Sequence, residues 1–273
     1  MVTPPDRQGK LNPYTLVAAA ELGLTEIYKM GGAQAVFALA WGTETIKKVD
    51  LISGPGNIYV TLAKKMVYGD VNIDMLAGPS EILIIADKTA NPVYVAADMM
   101  SQAEHDILAR SVLVTDHAPL LEQVELELIR QVEELDRKEI IIKSLEAYGA
   151  FILVQDIDEA CFVSNMVAPE HLELMVDKPF DLLQQIRNAG AIFLGENTPE
   201  PAGDYYAGPN HILPTGGSAR FYSPVTVDTF MKASSIIYYT KKGILQDADD
   251  IIKLASLEGL HAHAHAVRVR KEK

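Results

Sequence analysis

The segment from residue 97 to 106, ADMMSQAEHD, holds the first side chains whose spacing suggests chemistry. Gln102 and His105 lie three residues apart in a stretch with a helical pattern, which predicts that both project from one helix face. A carboxamide oxygen and an imidazole nitrogen placed together could supply half of a metal site. A polar helix end with one exposed histidine would have the same spacing, so the pair alone does not decide between these interpretations.

Further ligands for such a site must come from elsewhere in the chain. A loop rich in glycine and proline contains Asp204 and His211. The carboxylate suits a divalent ion, and the histidine could contact a substrate or only pack in its loop. Near the C-terminus, Glu258, His261 and His265 would share one face of a continuous helix, and His263 would point away. This spacing favours His261 or His265 as a ligand, although clustered histidines also form adventitious metal traps.

Two proton-transfer groups stand side by side in the segment Ala168-Pro169-Glu170-His171. Adjacent side chains of an extended segment point to opposite sides, so the pair could serve two separate proton transfers. A histidine with a pKa near neutrality and a glutamate whose pKa is raised by burial are the usual general bases. A turn with a hydrogen-bonded histidine would explain the pair equally well.

Composition and charge exclude several classes of protein. The net charge of −13 argues against a nucleic-acid groove, which needs clustered Lys and Arg. It does not exclude a cofactor that carries phosphate, because helix N-termini bind phosphate through backbone N–H groups. Cys161 has apolar neighbours, which predicts a buried structural residue, and a single cysteine fits the reducing cytoplasm. The chain has no apolar run of membrane-spanning length and no signal pattern, so we expect no membrane partner.

Strand, glycine turn and helix follow one another twice near the start of the chain. Strands are predicted at 27–30 and 49–53, and helices at 33–40 and 57–67. This succession is typical of a parallel sheet with crossover helices. The turns GGAQA and GPGN lie where such sheets usually bind ligands, and they could approach a pyrophosphate or be only tight connections.

A second set of strands is predicted at 82–86, 111–114, 150–154 and 191–194, with helices from 91, at 118–136 and at 156–167. Periodicity is lost from 195 to 222, which indicates an ordered site loop. A strand at 235–239 and a helix from about 244 follow. We therefore predict an α/β protein: two incomplete Rossmann-like lobes with parallel sheets, residues 1–79 and 80–224, and a small C-terminal helical appendage, residues 225–273.

Several long motifs occur in a fixed order along the chain. SQAEHD, GPSEILI, APEHLEL, PAGDYYAGPNHILPT and the terminal EGLxAHxxAVxxR, together with GGAQAVFALAWGTE and GPGNIYV, resemble the histidinol dehydrogenase family over essentially the whole chain. The resemblance implies a zinc- and NAD-dependent enzyme that oxidises L-histidinol through the aldehyde to L-histidine, the last step of histidine biosynthesis. It also implies a homodimer in which the C-terminal segment is swapped and completes the partner's site.

The resemblance further implies roles for individual residues. The zinc ligands would be Gln102, His105, Asp204 and His263, which differs from the choice that spacing alone favours. These residues would also contact the substrate, together with Ser80, His171 and Glu258. Glu170 and His171 would be the catalytic proton acceptors. Gln34 and Asn57 would contact NAD.

One departure from the family affects these expectations. Its members carry well over a hundred residues before the point where this chain starts, including the first strands of both lobes. We therefore expect incomplete sheets with edges that are covered or exposed, and a cofactor cleft that lacks part of its wall. An oxidoreductase impaired by this truncation is the leading hypothesis. A non-catalytic zinc-binding or oligomerisation module that retains the fold is the alternative.

Overall fold

The computed structural model describes residues 1–271 and separates into two compact units. The first unit is Met1–Phe230, and the second begins at Met231. The first contains all the strands of the described chain, and every pair of neighbouring strands is parallel. The α/β class predicted from the sequence is confirmed. The lobe boundaries at residues 79/80 and 224/225 stay predictions.

The first part of this unit contains short strands and the helices that connect them. In chain order its elements are β1 Val2–Thr3, α1 Pro13–Glu21, β2 Tyr28–Lys29, α2 Gly32–Trp41, β3 Leu51–Ile52, α3 Ile58–Val67 and β4 Asn72–Ile73. Strand β1 pairs with β2, and β3 pairs with β4, in separate two-stranded sheets. Helices α2 and α3 pack over β3 through Val36, Ala40 and Ala63.

A five-stranded sheet follows. Its strands and helices in chain order are β5 Glu81–Ala86, α4 Pro92–Ala103, β6 Arg110–Thr115, α5 Ala118–Val132, α6 Lys138–Tyr148, β7 Gly149–Leu153, α7 Ile157–Val167, β8 His171–Met175, α8 Pro179–Leu182 and β9 Ala191–Leu194. The strand order is β7-β6-β5-β8-β9, so the chain leaves β5 in one direction and returns to its other side with β8. Every residue of β5 and of β8 is buried.

Apolar residues cover both faces of this sheet. One cluster joins Ile82 and Ile84 to Val95 and Met99 of α4. The opposite cluster joins Leu83 and other strand residues to α7, including Cys161, which is buried and free as predicted. Helices on both faces explain why β5 is apolar without alternation after Glu81.

The segment from 195 to 222 differs from the prediction of a loop without regular structure. It contains the short helix α9, Glu200–Tyr205, and a 3₁₀ turn at Ser218–Arg220. Prolines do not prevent α9, because Pro199 is its N-cap and Pro201 lies in its first turn, where no backbone donor is needed.

The second unit is helical. It consists of α10, Lys241–Leu257, and α11, His261–Lys271, which pack against each other. The predicted strand at residues 235–239 is wrong, since that segment pairs with no strand in the described chain. Its isoleucines and tyrosines favour strands, but a strand forms only where a sheet edge is available for pairing. Among residues 1–271, no helix is both long and apolar enough to cross a bilayer.

Candidate active site

The predicted proton-transfer pair, Glu170 and His171, lies at the amino end of β8, next to the amino end of β5. Glu81 is the first residue of β5 and His171 is the first of β8, and Ile82 pairs with His171 in the parallel register. The amino ends of parallel strands meet at one edge of a sheet, so the backbone of Glu81 lies beside the pair. Ligands of open α/β sheets usually bind at the opposite edge, beyond the carboxyl ends.

The backbone of a single residue, Glu81, orients both members of the pair. The backbone N–H of Glu81 donates to Oε2 of Glu170 at 3.0 Å, and the backbone oxygen of Glu81 lies 3.1 Å from Nδ1 of His171. A carbonyl oxygen can only accept, so Nδ1 of His171 carries the proton in this bond. The other ring nitrogen, Nε2, is therefore the unprotonated atom and is free to accept a proton.

The chain enters β8 through a turn that fixes this pair. Helix α7 ends at Val167, and its C-cap Ala168 adopts a left-handed conformation with φ 53 although it is not glycine. Gly190 packs against the backbone of Glu170, where a Cβ atom would lie 2.5 Å from the Glu170 carbonyl oxygen. A glycine at this position lets β9 approach closely, and the backbone oxygen of Glu170 accepts from Ala191 at 2.8 Å.

Helix α9 brings two carboxylates to the free nitrogen of His171. Nε2 lies 3.8 Å from Oε1 of Glu200 and 3.9 Å from Oδ1 of Asp204. One ligand atom of each of the three residues lies within 4.8 Å of the others, which is a spacing that could hold a metal ion. Nε2 is buried and has no hydrogen-bond partner among the described residues. Gly203 lets α9 lie directly on the ring of Phe193.

Gln102 is fully buried at the end of α4, yet neither polar atom of its side chain has a hydrogen-bond partner within residues 1–271. A buried polar group left unpaired costs about 1–3 kcal/mol. An unpaired buried carboxamide is therefore better explained as a potential metal ligand than as a structural residue.

His105 does not share a helix face with Gln102, so that prediction is wrong. Helix α4 ends at Ala103, and the backbone N–H of its C-cap Glu104 bonds back to Met100 and Gln102. The chain then turns, with Asp106 accepting from the backbone of Leu108 at 2.9 Å. His105 is exposed just beyond the helix. It is close enough to His171 to lower the pKa of that imidazole, after the larger effect of burial.

Carboxyl groups that the sequence analysis did not single out surround this pair. They are Glu81, Asp98, Glu173 and Glu200, and all four are buried. Two of them follow patterns that could have been recognised. Glu200 precedes Asp204 by one helical turn, and Glu173 follows His171 by two residues, which places both on one face of a strand.

Burial and mutual repulsion change the charge of these groups. Burial, together with repulsion from the carboxylates of Glu81, Asp204 and Glu200, raises the pKa of Glu170 to about 9. Burial, followed by repulsion from Asp204, raises the pKa of Glu200 to about 8. Burial lowers the pKa of His171, which keeps its imidazole neutral. Without a bound cation the site therefore holds protons, and a divalent ion or a cationic substrate would displace them.

Protein kept without a divalent ion by a chelator in the buffer should become less stable as the pH rises. The pKa of Glu170 is raised to about 9, that of Glu200 to about 8 and that of Asp98 to about 6. The folded state then binds more protons than the unfolded state from about pH 4 to about pH 9, so the free energy of unfolding falls across this window. Urea denaturation at pH 5 and pH 8 measures the change. The variant Glu170→Gln should show a smaller decrease, and a stability that rises with pH would contradict the raised pKa values.

The other predicted site residues lie as follows. Ser80 precedes β5 and is half-buried, and its backbone oxygen accepts from the backbone N–H of Arg110 at 3.0 Å. Gln34 is exposed in the first turn of α2. Asn57 is the N-cap of α3, where its side-chain oxygen accepts from Tyr59 at 3.1 Å. His211 is exposed and lowers the pKa of His171 slightly.

The C-terminal candidates lie in the second unit, all exposed. Glu258 is the C-cap of α10, whereas His261, His263 and His265 lie on α11. The expectation that Glu258 shares a helix face with two of the histidines is wrong. Gly259 adopts a left-handed conformation with φ 74 and ends the first helix between them.

Comparisons with known proteins agree on one family. The sequence model of the histidinol dehydrogenase family matches residues 1–271. The chain is 62% identical over 273 residues to histidinol dehydrogenase of Heliobacterium mobile, covering all of this chain and 64% of that protein. It is 58% identical over 266 residues to the enzyme of Carboxydothermus hydrogenoformans, covering 97% of this chain and 63% of that protein.

A solved structure agrees with the sequence comparison. The crystal structure of histidinol dehydrogenase from Elizabethkingia anophelis superposes with a TM-score of 0.94 at 46% identity, covering 99% of this chain and 63% of that one. The chain thus spans slightly less than two thirds of the length of these relatives.

Proposed function

Because the chain belongs to the histidinol dehydrogenase family, we propose that it carries the zinc and proton-transfer site for NAD-dependent oxidation of L-histidinol to L-histidine, in the cytoplasm, as the last step of histidine biosynthesis. The observation that carries the proposal is the meeting of His171, Glu200 and Asp204 around one unpaired imidazole nitrogen. Glu170 lies beside them, with its carboxyl group 3.7 Å from the same ring.

The donor set fits a zinc ion. The proposed ligands are Gln102, His105, Asp204 and His263. The unpaired carboxamide of Gln102 and the crowded buried carboxyl groups support a site that is completed by a cation. When bound, zinc would hold nitrogen atoms of the substrate and so fix the carbon to be oxidised. His263 would come from a second protomer of a homodimer, in which residues 225–273 complete the partner's site.

His171 and Glu170 would move the protons. His171 is neutral with Nε2 unprotonated, so it can accept the proton of the substrate alcohol as hydride leaves. Glu170 would then accept a proton from the water that adds to the aldehyde. Its pKa of about 9 keeps it protonated while the site lacks a cation, and positive charge nearby would restore it as a base.

Gln34 and Asn57 are the proposed contacts to NAD, which would accept the hydride at each oxidation. Both lie at helix N-termini, which favour phosphate groups. The turn before α3 is held rigidly: Asp74 accepts from the backbone N–H of Gly54 at 2.8 Å, and Lys64 donates to the Gly54 oxygen at 3.1 Å. Lys64 and Asp74 also form a buried ion pair, which stabilises the shape of this turn.

A non-catalytic zinc-binding or oligomerisation module is the second candidate. It is favoured by the strongly exposed apolar residues Ile236, Ile237 and Tyr238 in the second unit, which suit burial against another chain. A non-catalytic module would not need the oriented pair Glu170 and His171, and we therefore place this candidate second.

Isothermal titration with L-histidinol tests the proposed site. The zinc-loaded protein should bind L-histidinol, and protein treated with a chelator should not. An amino alcohol that lacks the imidazole ring is the matched control and should bind far more weakly. Equal binding with and without zinc would mean that the metal does not hold the substrate.

The variant Gln102→Leu should separate the roles of metal ligand and structural residue. Leucine removes the two unpaired polar atoms from a fully buried position, so the metal-free variant should be at least as stable as the wild type. Zinc affinity should fall by about 100-fold or more, if four ligands share the roughly 10–16 kcal/mol of a protein zinc site. Chelator competition and urea denaturation measure the two effects. A large loss of stability with unchanged zinc affinity would show that Gln102 is structural.

A further inference from the structure

Glu173 is buried in β8, and the proposed chemistry gives it no role. It lies two residues after His171, so both side chains project from the same face of the strand. Its exposed fraction is 1%. A carboxyl group is seldom buried so completely without partners that compensate for the loss of water, and its partners reveal what it does.

The first partner is the backbone of α9. Oε1 of Glu173 accepts from the backbone N–H of Glu200 at 2.8 Å. Glu200 is the first residue of α9, and the N-cap Pro199 provides no side-chain acceptor for this helix. The carboxyl group of Glu173 therefore replaces the missing cap from another element.

The second neighbour is Asp98 of α4, whose carboxylate raises the pKa of Glu173 after the larger effect of burial. Asp98 lies four residues before Gln102, one turn away on the same face of α4. The second oxygen of Glu173 has no N–H or O–H donor in the part of the chain that the structure describes. If one of the two groups is protonated it could donate to the other, and burial favours the protonated form of Glu173.

We propose that Glu173 is a positioning residue that ties α4 and α9 to β8, so that Gln102 and Asp204 are presented together to His171. This inference rests on the proposed function for the zinc site, but the connection between the three elements can be tested without it. A glutamine at this position could make both bonds, because its oxygen can accept from Glu200 and its amide can donate to Asp98. Methionine, which has a similar length, could make neither.

The experiment compares Glu173→Gln, Glu173→Met and the wild type, with the exposed Glu122→Met as control. Hydrogen exchange by NMR measures the amide of Glu200, and competition with a chelating dye measures the affinity for Co²⁺ in place of zinc. In Glu173→Met the Glu200 amide should exchange about 10- to 100-fold faster, as expected for a lost bond to a carboxylate. Co²⁺ affinity should fall by about 10- to 100-fold, as for other partners of metal ligands. Glu173→Gln and Glu122→Met should match the wild type in both.

The outcomes separate the inference from the proposed function. If the Glu200 amide exchanges fast in Glu173→Met and no variant binds Co²⁺, the connection between the elements through Glu173 is supported. The proposed zinc site is then overturned. If Glu173→Met folds and its Glu200 amide exchanges as in the wild type, the positioning role of Glu173 is overturned. A folded Glu173→Gln that loses Co²⁺ affinity would also overturn it. If Glu173→Met does not fold, Asp98→Ala provides the test, because it should weaken Co²⁺ binding and leave the Glu200 amide protected. Unchanged Co²⁺ affinity in that variant would contradict the link to α4.

Discussion

Replacing Glu170 by Gln should lower the rate of the second oxidation, from the aldehyde to L-histidine with its second NADH, by about 10²- to 10⁴-fold, the usual contribution of a general base. The amide keeps the size of the side chain, and its oxygen can still accept from the backbone N–H of Glu81. It cannot take a proton from water, so the aldehyde should accumulate instead of the acid. Absorbance at the NADH wavelength and trapping of the aldehyde measure the two effects.

Zinc binding provides the control for this variant. Glu170 is not one of the proposed ligands, so Glu170→Gln should bind zinc as the wild type does. Glu122→Gln, at an exposed position on α5, should retain full turnover. Full turnover in Glu170→Gln would remove this carboxyl group from the mechanism.

Replacing His263 by Ala should weaken zinc binding by about 100-fold or more, for the same division of binding energy among four ligands. Replacing His261 by Ala should have little effect. Both histidines are exposed on α11 and lie two residues apart, so they differ mainly in the direction in which they project. Chelator competition measures the affinity of each variant.

His265→Ala completes this comparison. His265 lies one turn after His261 on the same helix face, the face that spacing alone favours for a ligand. A larger loss in either of these variants than in His263→Ala would reverse the ligand assignment. Equal losses of zinc affinity in all three variants would indicate that the histidines bind zinc nonspecifically as a group and that none of them is the single ligand.

The sequence predicted strand β5, and it singled out Glu170 and His171 as candidates, because these signals are local. Strand β5 is an apolar run between a Gly-Pro turn and Asp87, and Glu170 and His171 are adjacent in the chain. Strand β8 was not predicted, because Glu173 is charged and yet fully buried. Its partners, Asp98 and the Glu200 backbone, lie far away in sequence, and only the folded chain brings them together.

Helix α9 is a second element that the sequence did not predict, because its residues indicate a loop. Two prolines and a glycine predict a loop, whereas the structure places the prolines where a helix tolerates them and Gly203 against the ring of Phe193. Glu200 thereby reaches His171, which the loop prediction could not anticipate. The unpaired atoms of Gln102 were likewise invisible from spacing, because burial is a property of the packed protein.

The most direct test of the account is NADH formation by this chain with L-histidinol and NAD, measured with zinc bound, after chelation and after zinc is restored. The account predicts turnover to L-histidine with two NADH formed for each substrate molecule, loss of turnover on chelation, and recovery with zinc. Binding of zinc and L-histidinol without any NADH would contradict it and would identify the chain as a binding module.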